Sequence, residues 1–316
     1  TWCRLRHAAL RDLRWWRTFG TSQVIGRRLW PPRLGALTTD ASQYGWGGHT
    51  TDRIHARGHF PPHQQLWHIN AKEIEAVTCS IMSLARTWDP GGGELALWVD
   101  NRVAMYVINN MAARSWHLLP VLHRLARILR ASNLSLRASW LPSANNFRAD
   151  QLSRVRDRTD WRLSPAVFAD LQALWGPPDV DRFACHLTSH LPRFNARWRC
   201  PGAEAIDTFH QAWWPFNNYA NPPFDLIDAV LDLVHEQDAA ATVILPAWQV
   251  QPFWHRATRM ATAAYLLPAD CGLTGPGRDQ RPLRRPHWRS AAFCFLPVGS
   301  DRPPDAGDGS RTPSWR

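Results

Sequence analysis

The chain has no CxxC pair. Its six cysteines, Cys3, Cys79, Cys185, Cys200, Cys271 and Cys294, are scattered over 316 residues. That spacing supports neither a disulfide framework nor a zinc site, and it suits a reducing, intracellular compartment, cytoplasmic or nuclear. No apolar run approaches the roughly 18 residues that a membrane-crossing helix needs, so no membrane partner is expected. The opening TWCRLRHAAL has neither an initiating Met nor the apolar stretch of a secretory leader, and it reads as the start of a segment cut from a longer chain. Acidic residues are also in short supply. Against 26 Asp+Glu stand 37 Lys+Arg, giving a formal charge of +11 and a pI of about 10.4. Such an excess favours a polyanionic partner through phosphate contacts and counterion release, and the dominance of arginine favours it further, because the guanidinium fork matches phosphate geometry. What is abundant is tryptophan, with 19 residues. Most are expected to pack, and a few to stack on bases.

The length suits two ordinary domains. Residues 1–33 read as a short amphipathic helix followed by a Pro-broken connector, the end of a preceding domain. From Leu34, LGALTTDAS, YGWGG and RIHARGHF predict a three-stranded meander, with Gly45, Gly47 and Gly48 placed in a tight turn. INAKEIEAVTCSIMSLARTW carries Ile74, Val77, Ile81 and Leu84 at three- and four-residue steps, a helix covering one sheet face. Asn70 reads as its N-cap, with Glu73 at the capping-box spacing. ELALWVD is a buried strand, VAMYVINNM and LLPVLHRLARILRA are helical, NLSLRASWLP is a strand, and NNFRADQLSR opens a closing helix. The prediction for residues 34–156 is a mixed sheet with helices packed on it. A second α/β unit is expected over 160–268, beginning with a helix capped by Ser164 and entered through Pro165. Residues 269–316 are Pro-, Gly- and Arg-rich and read as a largely disordered tail, interrupted by the apolar run SAAFCFLPV.

Four acids stand at predicted borders between core and loop: Asp40 after the first strand, Glu73 on the first helix, Asp100 ending a buried strand and Asp150 starting the last helix. Taken singly, each suits a cap or a solvated charge. Taken together they need cations, because four carboxylates share a small site only when positive charge neutralises them, and Mg²⁺ prefers oxygen ligands.

TTDASQYGWGG, INAKEIEAV, LWVDN and LPSANNFRADQLSR, in that order, resemble the motif series of retroelement ribonuclease H domains, especially those of DIRS-type, tyrosine-recombinase retrotransposons. The resemblance covers residues 34–156. It implies a ribonuclease H-like mixed five-stranded sheet with flanking helices, and metal-binding, catalytic carboxylates at Asp40, Glu73, Asp100 and Asp150. It also implies two Mg²⁺ ions, with Mn²⁺ as a substitute, and cleavage of the RNA strand of an RNA/DNA hybrid. A reverse transcriptase region of the same polyprotein is the implied partner. Within KEIEAV the family pattern selects Glu73, and Glu75 lies about 200° further round the helix. Asn101, Arg102 and Arg148 are expected to meet nucleic acid, and the arginine-bearing face of VLHRLARILRA (RxxRxLR) to grip phosphates. The loop before Asp150 lacks the histidine that some members of the family carry there.

Downstream, WRLSPAVFADLQALWGPPDVDRFA, EAIDTFHQAWW and YANPPF resemble the Dam-like N6-adenine methyltransferase domain of the same elements. That resemblance implies a second, smaller α/β, methyltransferase-like domain acting on DNA. It places adenine binding on Asn221, Pro222, Pro223 and Phe224, and an S-adenosylmethionine pocket near Asp181 and Asp207. VDRFACHL stands where the family has a Gly-rich FxGxG cofactor loop. The competing expectation for the whole chain is a non-catalytic basic nucleic-acid-binding module in which the four acids do not converge.

Overall fold

The computed structural model describes residues 7–19, 31–88, 91–154, 161–274, 281–282 and 288–299. An N-terminal helix α1 (His7–Phe19) precedes the first sheet. The expected meander forms as β1 (Arg33–Ala41), β2 (Gly45–Thr50) and β3 (His55–His59), all antiparallel. After the short α2 (Pro62–Gln65) and the long α3 (Ile69–Leu84), β4 (Gly93–Val99) returns beside β1 and runs parallel to it. Helices α4 (Arg102–Asn110) and α5 (Leu119–Ala131) lead to β5 (Leu134–Trp140), parallel to β4, and α6 (Phe147–Arg154) closes the unit. The sheet order is β3-β2-β1-β4-β5, a mixed five-stranded sheet with helices flanking it. The helical spacing of α3 does what its periodicity predicts. Ile74, Val77 and Ile81 are fully buried, in one core with Leu37, Leu95 and Leu97 from the sheet.

The glycines of β2 correct the sequence reading. They lie within the strand, and the turn is made before it, where Ser42 accepts the Gly45 and Tyr44 amides and donates to the Gly45 carbonyl. A Cβ on Gly47 would collide with Leu152 and Ser153 of α6, and one on Gly48 with Ser80 of α3. Glycine therefore lets two helices close on opposite faces of one strand, which brings α6 against β1 and β2.

The second unit comprises β6 (Trp161–Leu163), α7 (Pro165–Trp175), β7 (Val180–Asp181), the paired β8 (Asn195–Ala196) and β9 (Ala205–Ile206), and β10 (Asn218–Ala220). It continues with α8 (Ile227–Glu236), β11 (Ala241–Pro246), α9 (Pro252–Met260), β12 (Ala263–Leu266), β13 (Gly272–Thr274), β14 (Arg281–Pro282) and β15 (Ser290–Phe295). As expected, Ser164 caps α7, accepting from the Val167 amide at 3.4 Å. The main sheet has the order β12-β15-β11-β10-β7, in which β7, β10 and β11 are parallel and β15 runs antiparallel to both neighbours. β6, β13 and β14 form a separate three-stranded sheet.

The expected boundary at residue 268 does not hold. All six residues of β15 are buried, and they sit inside the second sheet between β11 and β12. Burying a Phe side chain contributes roughly 1.5–3 kcal/mol, so Phe293 and Phe295 anchor this core. Residues 300–316, read as disordered, lie outside the described residues. The two units touch: Trp198 packs against His55 and lies under the Arg57 guanidinium, and the Arg199 amide donates to Ser83 Oγ at 2.8 Å.

Candidate metal centre

Strand register brings two acids together. The parallel pairing of β1 and β4 aligns Thr38 with Trp98. Two residues further on, with side chains back on the same sheet face, Asp40 meets Asp100, which directly follows β4. Glu73 enters from the second turn of α3, whose apolar stripe holds the helix against the sheet. One carboxylate oxygen each from Asp40, Glu73 and Asp100 lie within 4.8 Å of one another.

The cluster is buried and electrostatically unbalanced. Asp40 and Glu73 are each about 5% exposed. Burial pushes the Asp40 carboxyl up to about 6; Asp100 and Asp150 add to the rise, and the Ser153 hydrogen bond opposes it. Burial likewise pushes Glu73 up to about 9, helped by the charges of Asp40 and Asp100 and opposed by a hydrogen bond from the Ala41 backbone. Asp40 is gripped on both oxygens: Ser153 Oγ donates to Oδ2 at 2.7 Å and Asn146 Nδ2 to Oδ1 at 3.3 Å. By contrast, Glu73 Oε2 and Asn146 Oδ1 are buried with no hydrogen-bond partner. An all-oxygen donor set with an orphaned carboxylate oxygen and two acids held above their ordinary range is a setting that a hard divalent cation relieves.

The fourth expected acid lies beside this group and is not part of it. Asp150, in the first turn of α6, gives Oδ1 to Arg154 Nε at 2.7 Å across one helical turn. It remains near enough for its charge to raise Asp40. Asn70 is not the cap of α3. His68 is, with Nδ1 accepting from the Asn70 amide, while Asn70 Oδ1 accepts from Asn101 Nδ2 at 2.9 Å. Asn101 in turn caps α4 through the Ala104 amide, so one amide side chain ties together two helix starts beside the cluster. Arg102 is exposed, with its guanidinium over the Trp140 ring at 4.4 Å. Arg148 donates to the Arg53 carbonyl at 2.9 Å. Arg124, on the expected phosphate-gripping face, instead pairs with buried Glu75. Sequence reasoning missed Ser153, Asn146 and Trp140; the four-residue step from Asn146 to Asp150 was the readable trace of the second.

The polar residues singled out in the second unit are bonded to their own chain. Asp181 is 2% exposed, and its carboxylate accepts from the Phe183 and His190 amides. Asp207 caps a short turn and binds His210 and Arg86. Asn221 Nδ2 donates to the Trp161 carbonyl at 2.9 Å. Pro222 and Pro223 follow β10, and Phe224 packs edge-on against Trp248 and Trp288. Where a Gly-rich loop was sought, buried Arg182 binds the side chains of Asn195 and Asn218 and the Ala212 carbonyl. These residues do not fit S-adenosylmethionine, since the acids that would hold it are already satisfied by their own chain.

Among solved structures, the chain is similar to the N-terminal RNase H domain of a Mycobacterium tuberculosis protein, determined as a fusion with maltose binding protein. The identity is 14% and the TM-score 0.30, over 37% of this chain and 90% of that one. It is also similar to LC11-RNase H1 in complex with an RNA/DNA hybrid (18%, TM-score 0.32, 37% and 91%) and to RNase H1 of the halophilic archaeon Halobacterium salinarum (18%, TM-score 0.31, 38% and 94%). No protein-family model and no curated protein sequence matches the chain.

Proposed function

We propose that residues 34–156 are a ribonuclease H-type nuclease domain that cleaves the RNA strand of RNA/DNA hybrids within a retroelement polyprotein. The convergence of Asp40 and Asp100, at the ends of adjacent parallel strands, with Glu73 from α3 carries this reading. The order of the four sequence motifs and the mixed sheet of order β3-β2-β1-β4-β5 support it. A pair of divalent ions, when bound, supplies water activation and neutralisation of charge in an in-line phosphodiester displacement. The chain's own work is positioning. Ser153 and Asn146 orient Asp40, and the Ala41 backbone holds one oxygen of Glu73 so that the other faces the cluster unpartnered. Asp150, now paired with Arg154, would supply a fourth carboxylate to such ions. With no histidine in the 141–149 loop, proton transfer falls to solvent. Recognition rests on duplex shape and on 2′-hydroxyls across the minor groove, which makes cleavage independent of base sequence.

The test is incubation with strand-labelled hybrid and Mg²⁺. The RNA strand is cut by the wild type and left intact by Asp40→Asn. Equal cutting by the variant removes the assignment.

A second reading, adenine methylation of DNA by the second unit, is favoured by one observation. The Asn221–Phe224 turn stands directly beyond the carboxyl end of parallel strand β10, where open α/β sheets bind ligands. The satisfied state of Asp181 and Asp207 opposes it. We therefore read this unit as a methyltransferase-like scaffold that binds nucleic acid without methyl transfer. Transfer of label from S-adenosylmethionine to DNA, lost in Asn221→Ala, overturns that view.

A further inference from the structure

Trp140 touches two parts of the site at once. It ends β5 opposite Val99, the residue before Asp100, and the following amide, Leu141, donates to the Val99 carbonyl at 3.0 Å. Its indole Nε1 donates to the main-chain carbonyl of Asp100 at 2.8 Å. Its ring face carries the Arg102 guanidinium at 4.4 Å. Trp140 is 38% exposed at the end of an edge strand, so its N–H and one ring face remain available to neighbouring polar groups. What it supplies is geometry: the N–H fixes the backbone of a cluster carboxylate, and the ring fixes the plane of an exposed cation one helical entry away.

We propose that Trp140 is a positioning residue that sets the Asp100 carboxylate for cation binding through its indole N–H, and sets Arg102 for a backbone phosphate of the bound duplex through its ring face. This rests on the nuclease reading of the carboxylate cluster. Partners of this kind, one step behind a metal ligand, govern how well that ligand is presented. An arginine stacked on an aromatic face keeps its edge N–H groups free for phosphate. It also loses less freedom on binding than an unrestrained side chain does.

The two roles separate chemically, because phenylalanine keeps a ring face and has no N–H, whereas leucine has neither. In Trp140→Phe, the Mg²⁺ concentration that half-saturates both cleavage and the Mg²⁺-induced rise in melting temperature increases roughly tenfold. Hybrid affinity measured without divalent ions stays within twofold of the wild type. In Trp140→Leu, the same loss of Mg²⁺ response is joined by a fall in hybrid affinity of about two- to fivefold. Arg102→Met produces that fall alone, and the Arg102→Met/Trp140→Leu double variant binds hybrid no more weakly than either single variant does.

The inference is overturned if Trp140→Phe and Trp140→Leu behave alike in both measurements, or if the double variant shows additive losses in binding. A wild type that neither cuts hybrid nor responds to Mg²⁺ overturns the nuclease reading instead. Cooperative melting of each variant keeps unfolding from passing for either result.

Discussion

Both units place acids at the ends of parallel strands, yet they treat those acids in opposite ways. In the second unit, Asp181 is buried and both its oxygens accept backbone amides, and Asp207 is taken up by a cap, a histidine and an arginine. In the first unit, Glu73 is equally buried, one of its oxygens has no partner, and it stands beside two more carboxylates. A chain that only needed to fold would satisfy or discard such a group, because a buried charge without partners is costly. The contrast lies in the clustering: an unpartnered carboxylate oxygen beside two further carboxylates separates Glu73 from the acids of the second unit, and counting acids at strand ends does not find it.

The comparison can be broken by substitution. The largest effect expected is in activity: Asp40→Asn takes hybrid cleavage to background, while Asp181→Ala leaves it unchanged, as read by strand-labelled gel assay. Stability should move the other way. Glu73→Gln removes an acid whose folded-state value lies near 9 against an ordinary 4.5. The folded state therefore holds a proton that the unfolded state has released, and metal-free stability falls as pH rises through that interval. Metal-free wild type is thus expected to melt at lower temperature at pH 8 than at pH 5. Mg²⁺ lessens the difference, and Glu73→Gln is more stable than the wild type at pH 8, by a few kcal/mol at most, in denaturant titration.

Asp181→Ala is expected to lose about 1–3 kcal/mol, because two partly buried amides are left without acceptors. A gain there, or a loss in Glu73→Gln, would erase the distinction between the units. The smallest effect belongs to Arg154→Gln. It breaks an exposed pair across one helical turn and should shift stability by no more than about 0.5 kcal/mol, while slightly lowering the Mg²⁺ needed for cleavage by releasing Asp150.

Much of the first unit could be read from the chain because its determinants are local. The steps of Ile74, Val77 and Ile81, the apolar run before Asp100 and the alternation of β5 each declare an element. The choice of Glu73 over Glu75 came from the motif resemblance, helical geometry only adding that the two residues face different ways, and Glu75 does face away, onto Arg124. The failures share a cause. Gly45, Gly47 and Gly48 looked like turn residues because their need for space comes from α3 and α6, which lie far along the chain. Asn70 carried a capping residue's chemistry, but His68 took that place. SAAFCF looked like a stray apolar run because its partners, β11 and β12, lie some 25 to 50 positions earlier, behind a Pro- and Arg-rich stretch. No periodicity encodes such long-range pairing. The positions of Asp150 and Trp140 were equally hidden, since each depends on where a single side chain turns.

The position of β15 also bears on the order in which the molecule is made. During synthesis the first sheet has all its strands once residue 140 has emerged, so it can settle while the rest is still being translated. The second sheet must wait with an open slot between β11 and β12 until the ribosome delivers residues 290–295. A message truncated after codon 268 would therefore yield a folded first unit attached to a segment missing an internal strand of its sheet, with the edges of β11 and β12 exposed to aggregation.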